Sequence, residues 1–293
     1  MTLRPSRSPP RTRARTPIDD GPPSENGDTD IPCYQIDLDS PPEERWSAVA
    51  AAYHVAFDHL IHHNREALAE FENTLRYMPA RLLLQALPLE HRADVLALST
   101  LLGVPLGMLA LLQLVYEAFS LDVLSGDGLG CTAIVVSSAS SPPLLARTLD
   151  WAWLDGLDDL LVELVVVRSG RPLYRCTSFV GYVGVLTGMR YQSAEASTEG
   201  DGGYAICINY RKPYPGRWLP DGTPDLDRPP WQRNGVLRAA AWHALRGGWP
   251  VASLLRDVLE RCASYAEARA TLLSARLVAP CYLSLVGTQA SEG

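Results

Sequence analysis

The chain has 293 residues, 47% of them hydrophobic, and 33 acidic against 26 basic side chains give it a net charge of −7. That length buries one large domain or two modest ones. The acidic balance, with no Lys/Arg-rich face after residue 18, argues against a nucleic-acid partner. No apolar run reaches the roughly 18 residues of a membrane-spanning helix, and the six cysteines hold no CxxC pair for zinc and are too sparse for a disulfide scaffold.

Residues 1–31 read as a disordered tail. Arg4, Arg7, Arg11, Arg13 and Arg15 precede Asp19, Asp20, Glu25, Asp28 and Asp30, with prolines throughout. Such a stretch buries too little apolar surface to order itself, and it lacks the apolar centre of a secretory signal. The alternation from Tyr34 to Asp39 predicts a short strand. Ser40, Pro41 and Glu43 then predict a capping box that opens a helix. Trp46, Val49, Ala50, Tyr53, Phe57 and Leu60 recur on one face of that helix. Asp58, His59, His62 and His63 have the spacing of metal ligands, but they read as a solvated helix face, and no metal or cofactor is expected.

Further helices are predicted over 65–77, 80–87, 89–102 and 104–119. The last carries Leu106, Leu109, Leu112, Val115, Tyr116 and Phe119 on an apolar stripe, which reads either as core or as a surface for an acyl chain. The period then changes. After Gly126, Gly128 and Gly130 comes Cys131 at the mouth of a β-branched strand, and a second strand from Pro143 carries Arg147 and Asp150. The Ser/Pro-rich link between them predicts a hairpin that returns Arg147 and Asp150 towards the thiol. The hairpin alone leaves two readings open. Cys131 is a buried structural cysteine, or it is a nucleophile. No histidine lies in the hairpin; a base without a side chain is the α-amine of Cys131 itself, were the chain cut after Gly130.

Strands are predicted over 160–168 and 172–179, turned by Ser169-Gly170, and over 204–210. Gly181, Gly184 and Gly188 read as places where a ligand or a neighbouring strand approaches closely. Six prolines between Lys212 and Trp231 predict an irregular loop. Helices over 233–246, 250–262 and 264–274 follow, the third with Ser264 and Glu267 as a capping box, and a strand over 279–286 ends the pattern.

Seven segments, in order, resemble the acid ceramidase and N-acylethanolamine acid amidase family of N-terminal nucleophile hydrolases. They are Tyr34–Trp46, Val104–Gly107 with Tyr116 and Glu117, Cys131 and Thr132, Arg147–Asp150, Ser178–Gly188, Ile208–Arg211 and Leu277–Tyr282. The likeness to acid ceramidase is the stronger, through 178–188 and 208–211. The resemblance implies an α+β fold: a helical segment over 32–130, then an αββα sandwich over 131–293. That sandwich is expected to be incomplete at its C-terminal end. The resemblance also implies self-cleavage before Cys131, with the two fragments remaining associated. It also implies an amidohydrolase for N-acyl lipids (ceramide, or alternatively N-acylethanolamines), with contact to a membrane surface or lipid carrier. In that scheme Cys131 is the nucleophile, Arg147 and Asp150 position its amine and thiolate, and Asn209 and Tyr210 lie at the oxyanion.

Positions 147 and 150 are three apart, so a regular strand puts their side chains on opposite faces; a bulge at Thr148–Leu149 is expected to bring both to the thiol. Thr148 and Tyr210 stand where the family commonly has Asn and Glu. The family pattern also runs on past the point matching Gly293, into Asn-Tyr-Asp and Arg-Arg stretches. A chain without them is expected to be truncated or inactive, less stable, and at most a binder of acyl lipids.

Overall fold

The most apolar strand of the chain, Leu161–Arg168 (β4), is buried on both faces from Leu164 to Val167, and the main sheet extends outward from it. On one side it pairs in parallel with Cys33–Asp37 (β1). On the other it turns through Ser169 and Gly170, both at positive φ, into the antiparallel Arg171–Phe179 (β5). Thr187–Arg190 (β6), Tyr204–Tyr210 (β7) and Cys281–Val286 (β8) complete the order β1-β4-β5-β6-β7-β8. A separate two-stranded ribbon is formed by Leu129–Ser138 (β2) and Ser141–Trp151 (β3). This computed structural model describes residues 31–69, 73, 79–120, 129–138, 141–151, 154–192, 202–211 and 246–292. The tail expected over 1–31, the proline-rich loop and the helix expected at 233–246 lie largely or wholly outside that set.

Helices cover one face of the six-stranded sheet. Pro42–Arg45 (α1) and Ser47–His63 (α2) follow β1, and Ala80–Gln85 (α3), Leu89–Leu102 (α4), Leu106–Leu112 (α5) and Val115–Ser120 (α6) precede the ribbon. Val251–Arg261 (α7) and Tyr265–Ser274 (α8) come late in the chain. Tyr204 of β7 donates its hydroxyl to the Val258 carbonyl of α7 at 2.8 Å, which fixes that helix to the sheet. The glycines of the 181–188 stretch make room for this packing, and Gly188 also for the backbone of the neighbouring β5. A methyl group on Gly181 (φ +88) would sit 2.6 Å from the Phe57 ring, and one on Gly188 would sit 2.6 Å from Leu259. One hydrophobic cluster joins residues from both sides of Cys131, from Ile36 and Trp46 to Leu259 and Ala279.

The fold is therefore α+β, and the described residues build three layers: helices, sheet and ribbon. The αββα sandwich expected has a fourth, outer helical layer. Among the described residues nothing of that kind covers the outward side of the ribbon, where Ile134, Val136 and Leu144 are exposed.

Several local expectations change. Ser40 does not cap α1; Pro41 is the N-cap and there is no side-chain cap bond, because the chain turns into the helix one residue later. The helix expected over 104–119 breaks between α5 and α6. At the break Gln113 turns its amide away, donating to the Gly181 carbonyl at 2.7 Å and accepting from Val183 N at 2.8 Å. Of the stripe, Leu109, Val115, Tyr116 and Phe119 are buried and Leu106 and Leu112 are half-buried against the core, so among the described residues it packs as core. The capping box of α8 forms as the sequence suggests, with Ser264 accepting from Glu267 N. Asp58 and His62 pair on an exposed face of α2.

Candidate active site

The ribbon lies on the sheet face opposite α7, with its Cys131 end over β6 and β7. Strand alternation determines what it presents. Cys131 pairs with Leu149 and Ala133 with Arg147, so these four share the face turned to the sheet, while Gly130, Thr132, Thr148 and Asp150 face outward. The alternating burial of β3, with Arg147, Leu149 and Trp151 half-buried and Thr148 and Asp150 exposed, follows from the same geometry.

Arg147 reaches inward and is gripped at three points. Nη1 donates to Thr187 Oγ1 at 3.0 Å, and Nη2 donates to the Ile208 carbonyl at 2.9 Å. Nη2 also lies 3.2 Å from Cys131 Sγ. A guanidinium fixed by β6 and β7 therefore holds a positive charge against the sulfur. Burial acts on the other five cysteines. It pushes Cys33, Cys207 and Cys262 up, and drives Cys176 and Cys281 to about 12. Cys131 is half-buried and in contact with a guanidinium.

Asp150 is a correction. β3 runs without a bulge at Thr148–Leu149; the ribbon's register shift lies instead at Val136–Ser138. Asp150 consequently faces away from the sulfur, as period-two alternation requires. Its carboxylate lies over Gly130, where an added methyl group would meet Oδ2 at 3.6 Å. It thus flanks the Gly130–Cys131 peptide bond rather than the thiol.

Asn209 ties the ribbon to β7. With its amide oriented to satisfy both neighbours, it accepts from Ala133 N at 3.0 Å and donates to the Ile208 carbonyl at 3.1 Å. The Tyr210 side chain points to the helical half, edge-on to Tyr116, with its hydroxyl on the Phe119 carbonyl at 3.2 Å. The structure thus brings together Cys131, Arg147 and Asn209, with Asp150 one face away and the Tyr210 side chain elsewhere. Thr187 was not legible as a site residue: a threonine beside a glycine carries no signal until the sheet places it under Arg147.

Replacing Arg147 by Met tests the contact without reference to a substrate. Alkylation of Cys131 by iodoacetamide at pH 7, followed by intact mass, should slow by about tenfold or more. An unchanged rate means the guanidinium contact does not act on the reactivity of the sulfur.

Comparison with known proteins adds the following. Residues 29–76 match the family model described as the beta subunit of N-acylethanolamine-hydrolyzing acid amidase, a segment that precedes Cys131. The chain is 25% identical over 260 residues to an N-acylethanolamine-hydrolyzing acid amidase of Caenorhabditis elegans, covering 89% of this chain and 65% of that protein. It is 26% identical over 289 residues to mouse (Mus musculus) acid ceramidase, covering 90% of this chain and 62% of that protein. It thus spans less than two thirds of the length of these relatives. A solved structure, the Caenorhabditis elegans N-acylethanolamine-hydrolyzing acid amidase ortholog, aligns with a TM-score of 0.41 at 24% identity, over 55% of this chain and 56% of that one.

Proposed function

We propose that this chain, a relative of acid ceramidase and N-acylethanolamine-hydrolyzing acid amidase, is an amidohydrolase of N-acyl lipids that uses Cys131 as its nucleophile. The observation that carries the reading is the 3.2 Å contact between Arg147 Nη2 and Cys131 Sγ on a ribbon pinned to the sheet.

The reaction has two balanced halves. The sulfur of Cys131 attacks the acyl carbonyl carbon; the C–N bond breaks, and the departing nitrogen takes up a proton and leaves as an amine. Water then adds to the thioester, releasing the fatty acid and the thiol. The chain's own Gly130–Cys131 bond is the first substrate of the same chemistry. Attack on the Gly130 carbonyl and hydrolysis of the resulting thioester frees the α-amine of Cys131, which then serves as the base. Asp150, already over Gly130, is the carboxylate that receives and orients that amine once Gly130 has left. Residues 1–130 and 131–293 become the two fragments. They stay together because β1, from the first, pairs with β4, from the second, and because the core contains residues of both.

The test is acylation. Purified chain incubated with an N-acyl aminocoumarin should release the fluorophore and gain the mass of one acyl group on a peptide containing Cys131, and Cys131→Ala should do neither. Release of fluorophore by the alanine variant at the wild-type rate contradicts the proposal. Ceramide and N-acylethanolamine, compared in the same assay, separate the two substrate classes.

A further inference from the structure

The contacts that hold the Arg147 guanidinium against the Cys131 sulfur are not equivalent. Nη2 donates to the Ile208 carbonyl at 2.9 Å and lies 3.2 Å from Sγ. Both of these contacts sit on one nitrogen, so by themselves they leave the rest of the planar group free to tilt about it. A bond from another nitrogen is needed to fix the plane. Among the described residues Nε has no hydrogen-bond partner, and that second bond is the one from Nη1 to Thr187 Oγ1 at 3.0 Å.

Thr187 is built to hold an oxygen still. It is β-branched and lies in a strand, where such side chains have little χ1 freedom. β6 itself is held from several sides. Thr187 stands opposite Thr177 of β5 on one edge and Cys207 of β7 on the other. The next residue, Gly188, faces the helices, and a methyl group there would sit 2.6 Å from Leu259 of α7. The strand is thus clamped between α7 and the ribbon, and the hydroxyl reaches Nη1 from a fixed backbone.

Resting on the amidohydrolase reading above, we propose that Thr187 is a positioning residue for the nucleophile: its hydroxyl fixes the plane of the Arg147 guanidinium, which in turn holds the Cys131 sulfur in place for attack. Thr187 acts through Arg147 rather than on the sulfur. A reacting group displaced by about 1 Å loses on the order of 10²-fold in rate, so one oxygen on a neighbouring strand is enough to register in the chemical step.

The experiment separates this role from a packing role by a double-mutant cycle. Thr187→Val keeps the branched shape and removes the oxygen, whereas Thr187→Ser keeps the oxygen and removes the methyl group. On the N-acyl aminocoumarin, with rates taken per chain cleaved before Cys131, the valine variant should lose about 10–10²-fold in kcat with KM little changed. The serine variant should stay close to wild type. Alkylation of Cys131 by iodoacetamide, compared in chains of the same cleavage state, should slow in Thr187→Val towards the rate of Arg147→Met. Adding Thr187→Val to Arg147→Met should slow it no further, because the group that Thr187 orients is already gone. Should the valine variant not fold, Thr187→Ala takes its place in the same cycle. A valine variant with wild-type kcat, a serine variant as impaired as valine, or an undiminished effect of Thr187→Val in the Arg147→Met background overturns the role of Thr187 and leaves the amidohydrolase reading standing. A wild-type chain that does not hydrolyse the N-acyl compound overturns both.

Discussion

Asp94→Ala should lower the unfolding free energy by about 3–5 kcal/mol, the scale on which a buried charge deprived of its partner destabilises a fold. Asp94 is fully buried on α4 and sits at the centre of a network drawn from both ends of the chain. Trp46 Nε1 donates to its Oδ1 at 2.8 Å. Arg45 Nε lies 2.9 Å from Oδ1 and Arg256 Nη1 2.8 Å from Oδ2, ion-pair distances without hydrogen-bond alignment. Arg256 is also bonded to Glu260 through Nε at 2.7 Å and to the Val183 carbonyl through Nη1 at 3.1 Å. Arg168 closes the far end on Glu260 at 3.1 Å. Removing the one carboxylate that three donors share leaves two guanidinium groups and an indole N–H facing each other where water does not reach. For a chain of this size the corresponding fall in melting temperature is roughly 10 °C. A fall of less than about 1 kcal/mol would mean that the network is no more than a solvated surface pair. The same network clamps α1 and α4 to α7, so under the proposed cleavage it joins the two fragments.

Glu117 should make the folded chain less stable as the pH rises. Its side chain is buried on α6, with Oε1 accepting from Val251 N at 2.7 Å at the start of α7, while Oε2 has no partner. Burial raises its pKa from 4.5 to about 7, and the Val251 N–H opposes this only in part. The folded form then holds a proton that the unfolded chain gives up at lower pH. Stability from this group is full below about 4.5 and is lost as the pH climbs through about 7. The whole change is about 3 kcal/mol. His91 acts in the other direction. Burial and the nearby Arg256, Arg261 and Arg45 keep it neutral when folded, so its contribution is present above pH 6.5 and fades below it. Comparing Glu117→Gln with wild type cancels the His91 contribution. Denaturant titrations should find the variant more stable at pH 8, by up to about 3 kcal/mol, and the two nearly equal at pH 4.5. A difference that does not change with pH would show that Glu117 keeps its charge throughout.

What the sequence made legible follows physical locality. The Cys131 ribbon could be read because two alternating runs flank a Ser/Pro turn, and β3 indeed shows alternating burial from Leu144 to Trp151. The helix over 89–102 and the capping box of α8 are likewise set by residues within one or two turns. β6 was not legible. Its four residues include a glycine, and only pairing with β5 and β7 makes them a strand. The break after α5 depends on Gln113 bonding to residues about 70 positions away. Asp94 and Arg256, 162 positions apart, meet only once the sheet is formed. The site divides in the same way. Cys131 and Arg147 belong together by hairpin register, whereas Thr187, Ile208 and Asn209 enter from other strands. Asp150 was placed with the thiol by the hairpin and an expected bulge, against its own alternation, and in this chain alternation decides where it points.

The central claim, that Cys131 attacks carbonyls beginning with that of Gly130, is tested most directly by the intact mass of the purified chain after incubation at mildly acid and at neutral pH. Two fragments are expected, the second beginning at Cys131 and remaining with the first through native gel filtration, and a single uncut chain for Cys131→Ala. A wild-type chain that stays whole while it hydrolyses N-acyl amides, or a Cys131→Ala chain that is cut at the same bond, would contradict it.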